Sequence, residues 1–222
     1  MKNILILMAL LINDTTEAKP SQFNSRSLID KDAEEGLKIA FASSLMIQSL
    51  NAEGMATGSG NLINYKKEMY VITAYHVVKD SLFLTLIEKD GNTVPASILY
   101  SDEKRDIAIL VPHGDFNSTE AAMHKKRRHD LLGTQVYHCG HPVGTYFNIS
   151  DGIITSFAAD GFIVNSFSLP GSSGSMVFDK TGNIVGVVVS VAMYGTFGTP
   201  ELASGLVKVS ALNMEDVSIL NR

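Results

Sequence analysis

Cysteine is nearly absent from this chain. The single Cys139 leaves no partner for an internal disulfide and excludes an all-cysteine zinc site. No apolar run approaches the roughly 18 residues that a membrane-spanning helix requires. A basic excess is missing too. The 18 Lys and Arg stand against 23 Asp and Glu, a formal net charge of −5, so composition makes no case for nucleic acid as a partner. There is no repeat period, and no His-Glu-x-x-His segment of the kind that holds a hydrolytic zinc. What is present is 222 residues, 45% hydrophobic and 18% charged. That is an ordinary globular composition, long enough for a core that stands without disulfide or metal staples.

The first residues bear on export. Lys2 precedes an apolar stretch from Ile4 to Ile12, and a polar run from Asn13 to Lys19 follows. As a helix the stretch would span about 14 Å against roughly 30 Å of bilayer core, too little for a stable membrane anchor. The positive start, the short apolar segment and the small Ala18, with Thr16 two residues before it, fit a cleavable signal peptide over residues 1–18. Export to a periplasm or to the medium is the expectation. The competing reading is an N-terminal strand or buried helix.

Residues 19–40 are polar with alternating charges, which reads as a linker or a short exposed helix. From about Phe41 the texture changes to short runs rich in Val, Ile, Leu, Phe and Tyr, among them Ser44–Leu50, Met69–Thr73, Ile107–Val111 and Ile184–Val191. Lys89-Asp90-Gly91-Asn92 and Asp179-Lys180-Thr181-Gly182-Asn183 carry hairpin chemistry, because Gly and Asn accept positive φ. Many short strands with few helical candidates predict an all-β barrel or sandwich. Only Ala211–Leu220, at the C-terminus, has the look of a helix. The weakly periodic segment His113–Leu132 divides the chain into halves of approximately 41–120 and 130–212. Its basic run His124–His129 reads as a solvated loop.

Three segments carry chemistry. The first is the apolar strand Tyr70-Val71-Ile72-Thr73-Ala74-Tyr75 running into His76. The second is Asp106 directly before Ile107-Ala108-Ile109-Leu110. The third is Leu169-Pro170-Gly171-Ser172-Ser173-Gly174-Ser175. Each alone has an ordinary explanation as a packed histidine, a turn aspartate or a loop. Together they supply what acyl transfer needs. A serine hydroxyl is a poor nucleophile without an adjacent base, and imidazole can take its proton and return it to a leaving amine. A carboxylate can fix the imidazole tautomer, and glycines beside the serine let backbone N–H groups face a developing oxyanion. The α/β-hydrolase alternative fails, because its acid and histidine follow the nucleophile whereas here they precede it. His138 and His141 flank Cys139 and Gly140 but have no fourth ligand nearby, so no metal site is expected.

The same segments resemble chymotrypsin-fold serine proteases. Val71-Ile72-Thr73-Ala74-Tyr75-His76 is similar to their Thr-Ala-Ala-His, Asp106-Ile107-Ala108-Ile109-Leu110 to their Asp-Ile-Ala-Leu, and Gly171-Ser172-Ser173-Gly174-Ser175 to their Gly-x-Ser-Gly-Gly. Gly140-His141-Pro142-Val143-Gly144 with Gly152-Ile153-Ile154-Thr155-Ser156, and the later Ser204-Gly205-Leu206-Val207-Lys208-Val209, resemble the HtrA (Deg-type) branch. The likeness covers residues 41–212 and implies two antiparallel β-barrels with an active site between them, followed by a short C-terminal helix. A trypsin-like protease domain over 41–222 would then lack the PDZ module common in that branch. Residue by residue, the resemblance implies His76 as general base, Asp106 as its orienter and Ser173 as nucleophile. It further implies the backbone N–H groups of Gly171 and Ser173 as oxyanion hole, protein or peptide substrates, and no cofactor.

Departures from that pattern lie beside the chemistry. Tyr75 replaces a small residue next to the histidine, and Ser175 and Met176 replace the usual Gly-Pro. Ser172 stands where zymogen-type relatives carry an aspartate, so activation by an ion pair with a newly cut N-terminus is not expected. The specificity pocket is expected to involve Phe167, Ser168, Leu169 and Ser190. With no acid in those segments, an apolar side chain before the cut is favoured over a buried, unpaired Lys or Arg. The rival from another class is a protease-fold protein that binds peptides or partners without cutting them.

Overall fold

The computed structural model describes residues 28–123, 131–192 and 206–212. The signal-like segment 1–18, the basic run His124–His129 and most of the expected C-terminal helix lie outside the described residues. Among the described residues there are thirteen strands. The first group is β1 (Ser44–Asn51), β2 (Gly54–Tyr65), β3 (Glu68–Thr73), β4 (Phe83–Ile87), β5 (Thr93–Asp102), β6 (Ile107–Pro112) and the two-residue β7 (Ala122–Met123). The second is β8 (Gln135–Gly140), β9 (Asn148–Ala158), β10 (Gly161–Ser166), β11 (Met176–Asp179), β12 (Ile184–Ala192) and β13 (Leu206–Ala211).

Each group closes on itself. In the first the order is β1-β4-β5-β6-β3-β2 with β2 returning to β1, and β7 is added in parallel beside β2. In the second, β10-β13-β12-β11-β8-β9 closes through the β9–β10 pair. All the barrel pairings are antiparallel, so the fold is two six-stranded antiparallel barrels, as the resemblance to chymotrypsin-fold proteases implies. Closure removes the exposed sheet edges that invite aggregation. Both predicted hairpins form, with Ile87 opposite Thr93 and Phe178 opposite Ile184. Gly91 and Gly182 supply the positive φ in these turns, at 83° and 80°.

Strand alternation builds three apolar clusters. The first barrel is filled by Leu45, Ile47, Leu62, Val71, Leu86 and Leu110, the second by Val136, Ile154, Phe162, Val164, Val177 and Val188. The third lies between the barrels and joins Ile63, Ile72 and Ile109 of the first to Cys139, Met176, Phe178 and Val187 of the second. β11 shows why its four residues are all buried: Val177 faces its own barrel, while Met176 and Phe178 face the junction.

Two features were not expected. Residues Glu35–Ser43, partly inside the segment read as a linker or short exposed helix, form helix α1. It is buried rather than exposed, placing Ala40 and Phe41 in the junction cluster. Of the charges that give the segment its polar look, Asp30, Lys31, Asp32 and Glu34 precede the helix and Glu35 opens it. The second is β2, which the sequence hides behind three glycines. At Gly60 a Cβ would come within 2.8 Å of Ile47 Cδ1, so a strand with side chains there could not lie this close to its neighbours.

The junction is also held by polar contacts. Asn61 on β2 is fully buried. Its Oδ1 accepts the Met176 N–H at 2.8 Å, and its Nδ2 donates to Ser43 Oγ at 2.8 Å and to the Ala40 carbonyl at 3.3 Å. One amide therefore ties α1, the first barrel and the second barrel together. Asn61→Ala strands a buried N–H and a buried carbonyl. It is expected to lower unfolding free energy by about 2–4 kcal/mol, read as a lower urea midpoint with an unchanged slope.

Candidate active site

β3 ends at Thr73, and the chain turns directly into a single helical turn, α2 (Tyr75–Val78), that carries His76. Asp106, in the turn before β6, grips that turn at three points. Its Oδ2 lies 2.6 Å from His76 Nδ1, its Oδ1 accepts the His76 backbone N–H at 2.8 Å, and its carbonyl accepts the Tyr75 N–H at 3.2 Å. Asp106 adopts φ 56°, a left-handed conformation that aspartate tolerates better than most residues. The carboxylate thus holds the imidazole through Nδ1 and holds its backbone as well. Nε2 is the ring nitrogen left for other work. The pair is not sealed from solvent, with side-chain exposures of 46% for His76 and 25% for Asp106.

Ser173 sits across the junction, in the turn between β10 and β11. The turn is pressed onto the end of the first barrel. Gly174, at φ 93°, lies so close that a Cβ would collide with the Ser59 carbonyl and the Thr73 hydroxyl and come within 3.0 Å of the Ala74 nitrogen. Ser59 of β2 holds the turn twice: its N–H donates to the Ser173 carbonyl at 2.8 Å and its Oγ to the Gly171 carbonyl at 2.7 Å. The Ser59 hydroxyl also accepts the His141 N–H at 3.0 Å, and its carbonyl accepts from Thr73 Oγ1 at 2.7 Å. The structure therefore joins His76 to Asp106 directly and Ser173 to the first barrel through its main chain. Among the described residues no hydrogen bond joins Ser173 Oγ to His76.

The N–H groups of the turn divide into two sets. Those of Ser172, Gly174 and Ser175 donate to the Leu169, Val188 and Ser172 carbonyls at 2.9, 2.8 and 3.1 Å. Those of Gly171 and Ser173 donate to no acceptor among the described residues. The cause lies in the carbonyls. A trans peptide points its C=O and N–H in opposite directions, and the Pro170 carbonyl is held at 2.8 Å by the N–H of Val143. The Ser172 carbonyl is held from the same turn. Gly171 permits this path with φ 102°, and a Cβ on it would strike the His141 carbonyl. The Gly171 and Ser173 N–H groups, two residues apart, are thus left without a protein acceptor among the described residues.

The remaining sequence candidates differ in exposure. Phe167 is 49% exposed, Leu169 is half-buried, and Ser190 on β12 is exposed. Ser168 is fully buried, and its hydroxyl has no protein partner among the described residues. His138 and His141 are buried, and burial pulls their pKa values down to about 4 and about 3, the latter helped by Lys89. Burial raises the Cys139 thiol to about 11, so it is inert. Lys89 lies under the junction, donating to the Ala42 and Ser44 carbonyls at 3.2 and 3.0 Å with its ammonium 4.7 Å from the Phe147 ring centroid; burial lowers it to about 8. Among the described residues no cluster of three His, Cys, Asp or Glu side chains could hold a metal ion.

Ser59, Val143 and the Ser175 hydroxyl escaped the sequence reading. Val143 lay inside a motif that was noted, and Ser59 stands between Gly58 and Gly60, a spacing that marks close backbone approach. Nothing in the sequence alone marks either as a partner of the Ser173 turn.

The chain is similar to known proteins. It is 26% identical over 153 residues to Protease Do-like 1, chloroplastic, of Arabidopsis thaliana, covering 64% of this chain and 34% of that protein. It is 29% identical over 146 residues to a probable periplasmic serine endoprotease DegP-like of Hahella chejuensis, covering 61% and 30%. With serine endoprotease DegS of Haemophilus influenzae the identity is 27% over 140 residues, covering 59% and 40%. The match thus spans no more than 40% of the length of these relatives. Residues 58–187, more than half of the chain, match the trypsin-like peptidase domain, and with two closed barrels meeting at this site the chain belongs to the trypsin-like peptidase family.

Proposed function

We propose that this protein is a serine endopeptidase that hydrolyses peptide bonds through an acyl-enzyme, with His76, Asp106 and Ser173 as its triad. The observation that carries the reading is the 2.6 Å His76–Asp106 contact facing a turn whose Gly171 and Ser173 N–H groups are unengaged. Ser173 Oγ attacks the substrate carbonyl carbon, and its proton passes to His76 Nε2. The oxyanion that forms receives hydrogen bonds from Gly171 and Ser173, donors already oriented before charge develops. Collapse breaks the C–N bond, and His76 returns the proton to the leaving amine. Water, deprotonated by the same nitrogen, then releases the acid and regenerates Ser173. Asp106 keeps Nδ1 as the protonated nitrogen throughout and stabilises the imidazolium.

The half-exposed Phe167 and the lack of an acid beside it support an apolar preference at the residue before the cut. The signal-like start and the periplasmic location named for several relatives support export. Unfolded or flexible proteins are the substrates this reading favours.

Casein digested by the wild type and by Ser173→Ala in parallel tests the proposal. The variant is expected to fold normally and to lose turnover by about five to six powers of ten, and wild-type cut sites read by mass spectrometry should follow apolar residues. A wild type that binds casein without producing peptides would favour the non-cutting rival. Asp106→Asn should leave the fold intact and lower kcat by about four powers of ten, since the amide no longer accepts from Nδ1–H and the wrong tautomer is favoured. Unchanged kcat in steady-state assays would remove Asp106 from the triad.

A further inference from the structure

The Ser172 carbonyl has a second donor besides the backbone. Ser175, fully buried, donates its hydroxyl proton to it at 2.6 Å, alongside the Ser175 N–H at 3.1 Å. Ser175 belongs to a buried polar group inside the second barrel. His138 Nδ1 lies 3.4 Å from Ser175 Oγ, His138 Nε2 lies 3.0 Å from Ser166 Oγ, and Ser166 donates to the Asp151 carbonyl at 2.8 Å. A hydroxyl has one proton to give. The distances assign that of Ser175 to the Ser172 carbonyl, with His138 as the weaker, competing acceptor.

We infer that Ser175 is a positioning residue for the oxyanion hole, acting through the Ser172–Ser173 peptide. The reasoning is geometric. Holding the Ser172 carbonyl at two points stops that peptide plane from rotating, and in a trans peptide this also fixes the direction of the Ser173 N–H. A single backbone bond closing the Ser172–Ser175 turn leaves the plane free to rock about the N–H···O axis, whereas a second donor from another direction removes that freedom. Ser175 also has a fixed seat: a Cβ at Gly140 would come within 3.3 Å of Ser175 Oγ and 3.1 Å of Ser172 Cα. The small residue on β8 is what lets the turn pack against it.

This inference rests on the endopeptidase reading, because an oxyanion donor matters only if an oxyanion forms. An interaction realised only in the transition state lowers kcat and leaves KM alone when it is removed. Ser175→Ala is therefore expected to lower kcat on a peptide substrate by about tenfold with KM within about twofold, less than outright loss of a donor because the N–H is loosened rather than deleted. Ser175→Cys, close in shape but a weaker donor, should fall between. Ser166→Ala removes an equally buried hydroxyl from the same group without touching Ser172 and should keep kcat within about twofold of wild type. A second readout is independent of turnover: in Ser175→Ala the Ser172 carbonyl ¹³C resonance should move upfield as its second donor is lost. An unmoved resonance, an unchanged kcat, or an equal fall in Ser166→Ala would each overturn the assignment. A wild type with no turnover at all would defeat the endopeptidase reading instead, and the carbonyl resonance would still decide whether Ser175 holds the peptide.

Discussion

Ser59 makes the junction between the barrels into a site. Placed on β2 of the first barrel, it donates its N–H and its hydroxyl to two carbonyls of a turn that belongs to the second. Apolar packing between the barrels is strong but has little directional preference. The clamp supplies direction. It registers the Ser173 turn against the strand end that leads into His76, and Gly174 lets the turn approach the Ser59 carbonyl closely enough for it to form. Asn61, two residues further along the same strand, repeats the device with the Met176 N–H. One strand thus links α1, both barrels and the turn.

From that clamp follows the electrostatics of the turn. Each of its carbonyls from Pro170 to Ser173 is occupied, by Val143, Ser59, Ser175 and Ser59 in order. Carbonyls fixed in this way leave the Gly171 and Ser173 N–H groups aimed away from protein acceptors. Their desolvation is tolerable because an anionic ligand or water can reach them, and it becomes useful once negative charge appears there. Preorganised donors need no reorientation when that happens. On the other side of the cleft the same principle governs Asp106, which spends two carboxylate oxygens on one residue and so fixes both the position and the tautomer of the imidazole. Rigidity on both sides is set by buried or half-buried polar contacts, while the apolar clusters behind them set the distance between the barrels.

Much of this was legible in the sequence, and the parts that were not have physical reasons. The β-rich texture and both hairpins could be read because period-two alternation and positive-φ residues leave local marks, and of the His76, Asp106 and Ser173 segments the structure joins the first two directly. β2 could not: its Gly58-Ser59-Gly60 stretch looks like a loop, and what makes it a strand is the crowding of Ile47 and Val71 around it. Helix α1 reads as a linker or a short exposed helix because a charged run precedes it, and only the junction explains its apolar end. Ser59, Val143 and the Ser175 hydroxyl were invisible as site residues, since each acts through a carbonyl of the turn that is distant in sequence or bears no side-chain signature. The twin departures Ser175 and Met176 were noted beside the nucleophile, but the contact of one with Ser172 and of the other with Asn61 needed three dimensions.

The central claim is that Ser173 carries an activated hydroxyl. It is tested most directly by exposing the folded protein to a fluorophosphonate and mapping the adduct by mass spectrometry. Such reagents phosphonylate a serine only when a base takes its proton and an oxyanion hole accepts the P–O⁻ that develops. The account predicts a single adduct, on Ser173, which disappears when His76 is replaced by alanine. A folded protein that stays unmodified, or that is labelled equally well without His76, would contradict it.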